Sequence, residues 1–208
     1  MDEQLPHTLR SDALDNRARI LDAAHALFST EGLSVPMREV ARRAGVGPAT
    51  LYRRFPTKQA LVTAVFADEV RACRAIVQEG CSDPDPWRGF RMVIEEMCAT
   101  HARDRGFTEA FLASSSGAVD SGAAEIAKER AVTLGAIGEL AQRAKRAGRL
   151  RPDFVLDDLL LMLMGNCGIR TASPATQVVA SRRFAAYVIQ AFEARPEPAP
   201  LPTPARLS

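Results

Sequence analysis

The sequence predicts an all-α protein of about nine helices: a small N-terminal three-helix unit joined by a long helix to a larger C-terminal helical unit. Three observations predict it. Apolar residues recur at spacings of three and four, and no stretch alternates with a period of two in β-branched residues. Glycine and proline fall between the apolar-periodic stretches, at Gly32, Gly45, Pro56, Gly80, Pro86, Gly106 and Gly148. The 208 residues, 47% of them hydrophobic and 25% charged, suffice for one large core or for a small domain and a medium one.

A flexible lead, residues 1–14, is expected before the first helix, which runs from Asn16 to Thr30 with Asn16 as cap and Ile20, Leu21, Ala24, Leu27 and Phe28 on one face. The lead is polar and mixed in charge, unlike a secretory signal. The most apolar run, Leu159 to Met164, is far shorter than a bilayer span, so a cytoplasmic protein without a membrane partner is expected. The second helix starts near Pro36, with Ser34 as a second candidate for its cap, and buries Met37, Val40, Ala41 and Ala44 before Gly45 stops it. Gly45-Val46-Gly47 makes a tight turn with one apolar anchor. Pro48 opens a short third helix in which Leu51, Tyr52 and Phe55 pack inward while Ala49, Thr50 and Arg53 point out. Pro56 ends it. Thr57 then caps a fourth helix that runs unbroken to about Glu79 and carries the chain from one unit into the other.

After the punctuation of Gly80 to Pro86, a fifth helix places Trp87, Phe90, Ile94, Met97, Cys98 and His101 on one face. Gly106 breaks that pattern, and Phe107, Phe111 and Leu112 mark a short sixth helix. Ser114 to Gly122 reads as a loop of small residues with neither of the glycine patterns that cradle phosphates. A seventh helix runs from about Ala123 to Arg146. An eighth, apolar nearly all round, runs from about Asp153 to Thr171, and a ninth from about Ala175 to Ala194. Over 195–208 proline recurs, and a disordered tail is expected.

The chemistry-bearing residues are scattered. Cys73, Cys81, Cys98 and Cys167 form no CxxC pair and have no histidine at ligand spacing, so neither a metal site nor a cofactor is expected. Each cysteine reads as a small buried hydrophobe, with a redox-sensing thiol as the other reading. His7, His25 and His101 lie far apart, and the adjacent Glu95 and Glu96 point apart on a helix, so no catalytic constellation is expected. The net charge of +2 identifies no partner. Its distribution says more: from Pro36 to Lys58 six basic side chains face Glu39 alone. That fits a footprint on phosphates or a solvated basic face.

Met37 to Phe55 meets the steric demands of a helix-turn-helix: an amphipathic helix, a glycine turn with an apolar plug, then a short second helix. The wording is more specific than the pattern. ILDAAHALFSTEG (Ile20 to Gly32) and MREVARRAGVGPATLYRRFPTKQALV (Met37 to Val62), with AGV, TLYRRF and the Lys58-x-x-Leu61 that follows, resemble the DNA-binding domain of the TetR (tetracycline-repressor) family. The resemblance covers the first third of the chain; beyond it only helix count and order are similar. It implies a helix-turn-helix DNA-binding domain over 15–62, with the motif itself at 36–55, and a ligand-binding and dimerisation domain over 63–194. It implies a homodimeric transcriptional repressor that binds a palindromic operator in double-stranded DNA and is released by a small effector. Pro36 and Gly47 depart from the family, which often has Ser or Thr at the first position and Ser at the second, so those hydroxyls are absent.

By geometry and by the resemblance, the third helix enters the major groove with Gly47, Pro48, Ala49 and Thr50 nearest the DNA. Thr50 reaches a thymine methyl or a phosphate. Arg53 is the candidate guanine reader. Tyr52 offers its phenol to a phosphate while its ring packs. Lys58 resembles the family's phosphate-gripping lysine, and Arg38 and Arg42 face the backbone. For Arg43 and Arg54, contact and a solvated face both stand. The resemblance also implies a pocket in the second domain. Trp87, Met97, Phe107, Phe111 and Met162 would wall it, and Cys98, His101 and Asn166 would supply polar contacts, a composition that favours a mostly apolar effector. Each of these eight is also readable as an ordinary core residue. Leu160 and Met164 of the eighth helix, with Phe184, Tyr187, Val188 and Phe192 of the ninth, are the candidates for a four-helix dimer interface. The eighth helix is alternatively central to its own core. Two rivals remain: an enzyme, for which no motif speaks, and a DNA-binding regulator that is constitutive or switched by another protein.

Overall fold

A computed structural model describes residues 5–113, 121–195 and 201–204, with side chains described over 15–112, 127–195 and 201–204. Most of the expected small-residue loop (114–120), the start of the expected lead (1–4) and most of the expected tail (196–200, 205–208) lie outside the described residues. Among the described residues the chain is all-helical. Its ten helices are α1 (Leu5–Glu31), α2 (Met37–Ala44), α3 (Pro48–Arg54), α4 (Lys58–Val65), α5 (Ala67–Ser82), α6 (Pro86–Arg103), α7 (Arg105–Ala113), α8 (Ser121–Arg146), α9 (Leu156–Cys167) and α10 (Pro174–Phe192). One isolated bridge, Leu150 to Glu193, ties the start of the α8–α9 link to the end of α10. No described helix is long and apolar enough to cross a membrane.

Several boundaries differ from the sequence reading, and the expected eighth helix (about Asp153 to Thr171) is shorter at both ends, Leu156–Cys167. The first helix begins at Leu5, so the expected flexible lead is helical over 5–14. Nothing between Leu5 and Asn16 breaks a helix, and Pro6 lies in the first turn, where its missing N–H costs nothing. Asn16 therefore sits inside the helix and accepts from Arg19 Nη1 at 3.4 Å instead of capping. The single long fourth helix is two: α4 and α5 bend at Phe66 (φ −99°, ψ 15°). The bend sets the fully buried Phe66 ring among His25, Phe28 and Phe107, at centroid distances of 6.0, 6.3 and 5.9 Å. Finally, the break before the short helix falls at Asp104, and Gly106 lies inside α7. A Cβ on Gly106 would sit 2.7 Å from the Phe28 carbonyl oxygen, so glycine is what lets α7 rest directly on α1.

The caps follow local chemistry. Thr57 accepts from the Ala60 N–H at 3.0 Å, Asp85 from Trp87 and Arg88, and Ser173 from Thr176. Neither Ser34 nor any other side chain caps α2. Within the second unit α6 is central and packs against α5, α8, α9 and α10; α1 meets α7, and α4 meets α8. One apolar cluster runs from Ile20 in α1 to Ile189 in α10, so the two units share a continuous core.

Candidate DNA-reading surface and the core behind it

The helix-turn-helix is assembled from inside. Gly45 ends α2 in the left-handed region (φ 65°), with its N–H and that of Val46 turned back to the Arg42 and Ala41 carbonyls. From α1, Arg19 Nη2 donates to the carbonyls of Ala44 (2.6 Å) and Gly45 (3.1 Å), holding the turn. Arg17 of α1 lies over the Phe55 ring at 5.9 Å. Leu51 and Phe55 are buried and anchor α3, while Ala49 and Arg53 are exposed and Thr50 is half-buried on its outer side. Tyr52 differs from the sequence reading. It is 50% exposed and belongs to the outward face, because Leu51 and, at the C-terminal cap, Phe55 already fill the inner side of this seven-residue helix. Gly47 and Pro48 are exposed at the start of α3. The Gly47 carbonyl takes the Thr50 and Leu51 N–H groups, and a Cβ on Gly47 would meet nothing within 4 Å.

The flanking charges are arranged unevenly. Arg42 makes a two-point pair with Glu39 (2.9 and 2.6 Å), and that hydrogen bonding holds the Glu39 carboxyl below its ordinary range. Both groups are solvent-facing, where a pair of this kind is worth little and a phosphate can compete for the guanidinium. Arg38, Arg43, Arg53 and Arg54 are exposed. Lys58, at the start of α4, is half-buried over the Phe28 ring, and its ammonium donates to the Leu33 carbonyl. Burial lowers its pKa, opposed by the field of Glu109.

That glutamate makes the joint between the units. Glu109, on α7, accepts the Leu33 N–H at 2.7 Å through one oxygen and Arg105 Nε at 2.7 Å through the other. The Leu33 residue thus bridges Glu109 of α7 to Lys58 of α4. A second joint lies nearby. His25 Nε2 of α1 is 3.0 Å from Glu69 of α5 and 3.3 Å from Asp104, which also accepts from Ser29 and from the Phe107 N–H. Among the described residues these three are the one set of ligand-type side chains close enough to share a metal ion. Here they bind one another and fasten the two units.

The eight residues expected to line a pocket are all buried. Two of them, Phe107 and Phe111, wall a small void together with Val70 and Cys73 of α5 and Glu129, Arg130 and Thr133 of α8. The void has room for about one water molecule. Trp87, Met97 and Met162 do not reach it. Asn166 donates to the Cys98 carbonyl (3.0 Å) and accepts from the Ser181 hydroxyl (2.7 Å), a closed network within the core. Burial pushes the Cys73 and Cys98 thiols up to about 12, which suits packing and not redox sensing. His101 is fully enclosed, and burial pushes it down to about 4, so it is neutral at physiological pH. The Thr108 hydroxyl donates to the His101 and Asp104 carbonyls, so His101 Nδ1, 3.0 Å away, must be the donor to Thr108. Among the described residues that leaves His101 Nε2 as a buried acceptor without a partner, and Arg130 Nε and Nη2 are likewise unpartnered.

On the opposite face, Leu160 is in the chain's own core (1% exposed) and is unavailable to a second copy. The all-round apolar eighth helix could not be oriented from its periodicity; its outward residues are Leu161 (61% exposed) and Met164, and Val179 and Tyr187 of α10 are exposed as well. Phe184 lies against Gly165, Val188 is half-buried, and Phe192 packs edge-on to Phe154 at 5.0 Å.

Residues 20–65 match the family model described as bacterial regulatory proteins, tetR family, and residues 85–188, half of the chain, match the C-terminal domain of SbtR-like transcriptional regulators. The chain belongs to the TetR family of bacterial regulatory proteins. It is similar to the HTH-type transcriptional repressor KstR of Rhodococcus jostii (strain RHA1), 36% identical over 115 residues, which are 54% of this chain and 53% of that one. The chain thus spans about half the length of this curated relative. Among solved structures, the TetR transcriptional regulator SCO0520 of Streptomyces coelicolor is 28% identical with a TM-score of 0.51, covering 86% of this chain and 98% of that chain. AibR, solved in complex with isovaleryl coenzyme A and operator DNA, is 18% identical with a TM-score of 0.68, covering 86% and 97%, and shares the fold.

Proposed function

We propose that this chain is a DNA-binding transcriptional regulator: a repressor that grips a palindromic operator as a homodimer and releases it when a small molecule enters the C-terminal core. The observation that carries the DNA-binding part is α3 itself, pinned from beneath by Leu51 and Phe55 while Ala49, Tyr52 and Arg53 face solvent and Thr50 lies half-buried beside them. Arg53 reads a guanine edge, Thr50 a thymine methyl or a phosphate, and Arg38, Arg42, Tyr52 and Lys58 grip phosphates, with Gly47 and Pro48 at the groove edge. One such helix is too small for specific affinity, so two copies meet through the exposed apolar face of α9 and α10, with Met164 and Tyr187 joined by Leu161 and Val179. The family is one of DNA-binding regulators, not of enzymes.

The test is selection of bound sequences from random DNA with the full-length chain, followed by titration of the selected site. Arg53→Ala should relax preference at one or two base pairs. Lys58→Ala should weaken binding to every sequence and lower the salt slope by about 1. If both variants select and bind as the wild type does, the assignment of α3 fails. A monomer at all concentrations in sedimentation would remove the dimer.

One observation favours a regulator that senses no small molecule: among the described residues, the void that Phe107 and Phe111 wall has room for about one water. Operator binding with and without added compounds separates the two readings.

A further inference from the structure

A guanidinium stays charged at any physiological pH, and burying it without an anion is costly. Arg130 is 8% exposed, and its Nε and Nη2 atoms donate to no partner among the described residues. The Phe111 ring lies 5.7 Å from it and supports the cation through its face but accepts no N–H bond in the guanidinium plane. The acid beside it, Glu129, is turned to Arg74 at 3.4 Å. Nε and Nη2 form one edge of the guanidinium, the edge that takes a carboxylate through two parallel bonds. Arg130 lines the void between α5, α7 and α8, whose other walls are Val70, Cys73, Phe107, Phe111, Glu129 and Thr133.

We infer that this void seats the carboxylate of a small monoanionic effector, clamped by the Nε–Nη2 edge of Arg130, with the effector's apolar body against Phe107 and Phe111. The inference rests on the small-molecule reading above and adds the ligand's chemical class. Glu129 in the wall disfavours a second negative charge, so a monocarboxylate is preferred over phosphates and diacids. Desolvation lowers the Arg130 pKa, in keeping with a cation lacking its counter-ion. The void is too small for the whole molecule, so entry displaces the α7 rings. Phe107 touches Phe66 at the α4–α5 bend, and Glu109 on the same helix holds Leu33 and through it Lys58. Occupancy therefore moves the groups that seat the reading head.

The test uses the full-length chain and matched probes: benzoate, phenylacetate and the straight-chain acids from butyrate to decanoate, each beside its neutral amide. Binding is read by calorimetry and by thermal shift. At least one acid should bind, its amide about 10- to 100-fold more weakly, and Arg130→Gln should cost the acid a similar factor while leaving any amide binding unchanged. Without ligand, Arg130→Leu should melt no lower than wild type, because it removes a buried unpaired charge. The inference is overturned if acid and amide bind alike, if Arg130→Gln binds the acid as wild type does, or if Arg130→Leu melts lower. Amides that bind and release DNA without any acid preference would sink only the carboxylate. No binding by either set, with operator affinity unmoved, would sink both the carboxylate and the small-molecule reading.

Discussion

In the helix-turn-helix, Leu51 of α3 and Phe55 at its C-terminal cap are buried, and the charged Arg53 and Arg54 face water. In the core behind it, Arg130 and His101 are enclosed by rings with polar atoms unpartnered. The contrast separates two ways of using polarity. A surface that reads DNA needs its charges solvated until phosphates replace the water, so it folds like any amphipathic helix pair and bears no folding penalty for its function. A core that encloses polar groups without partners holds them out of water at a cost in stability until something binds them. Removing what joins the two regions, neutralising a buried polar group in one, and adding a polar group to the other test this contrast in descending order of effect.

The joint should give the largest effect. Phe66 is fully buried among rings from α1 and α7, and it is where α4 bends into α5. Phe66→Ala should cost about 3–5 kcal/mol in urea unfolding and split one transition into two as the units part. A cost below about 1 kcal/mol with a single transition would mean that the Glu109–Leu33–Lys58 contacts, and not the rings, join the regions.

The buried histidine comes next. Its pKa falls from an ordinary value near 6.5 to about 4 on folding, through burial. Between those values the unfolded chain binds more protons than the folded one. The stability held above pH 6.5 is therefore lost as pH falls toward 4, by about 3 kcal/mol at the limit. His101→Gln keeps a donor for Thr108 and has no charge to gain, so its urea midpoints should fall less over pH 7 to 4.5. Parallel profiles for the two proteins would remove His101 from the account of the core's acid sensitivity.

The same contrast explains what was legible in the sequence. Pro36, Gly45, Pro48 and Pro56 act on their own backbone, so the bounds of α2 and α3 could be read locally. The bend at Phe66 could not, because Phe66 looks like one more apolar residue in a continuous stripe and only its distant ring partners fix it. Leu160 and Leu161 were indistinguishable in a run apolar on every side. Arg130 is hidden for the opposite reason: a charged residue on a long helix reads as surface. A signal was present. Leu134, Ile137, Ala141 and Ala144 form the buried stripe of α8, and continuing their spacing backwards lands on Arg130. Ser181, which closes the Asn166 network, carries no such signal, since its role depends on α10 lying against α6.

The smallest expected effect bears on the reading surface alone. The backbone of Gly47 (φ −68°, ψ 147°) is open to any residue, and a Cβ there would touch nothing within 4 Å. The start of α3 has no side-chain cap. Gly47→Ser should supply one, raising stability by a few tenths of a kcal/mol, since glycine is itself a fair cap. The added hydroxyl also faces the groove edge, where it can donate to a phosphate. Affinity should then rise for all DNA sequences alike, with the salt slope unchanged because no charge is added. Titrations of wild type and variant over a range of potassium chloride concentrations decide it. Weaker binding by Gly47→Ser would mean that the α3 backbone comes too close to DNA for any side chain, which would make glycine here a requirement of the docked complex and not of the free fold.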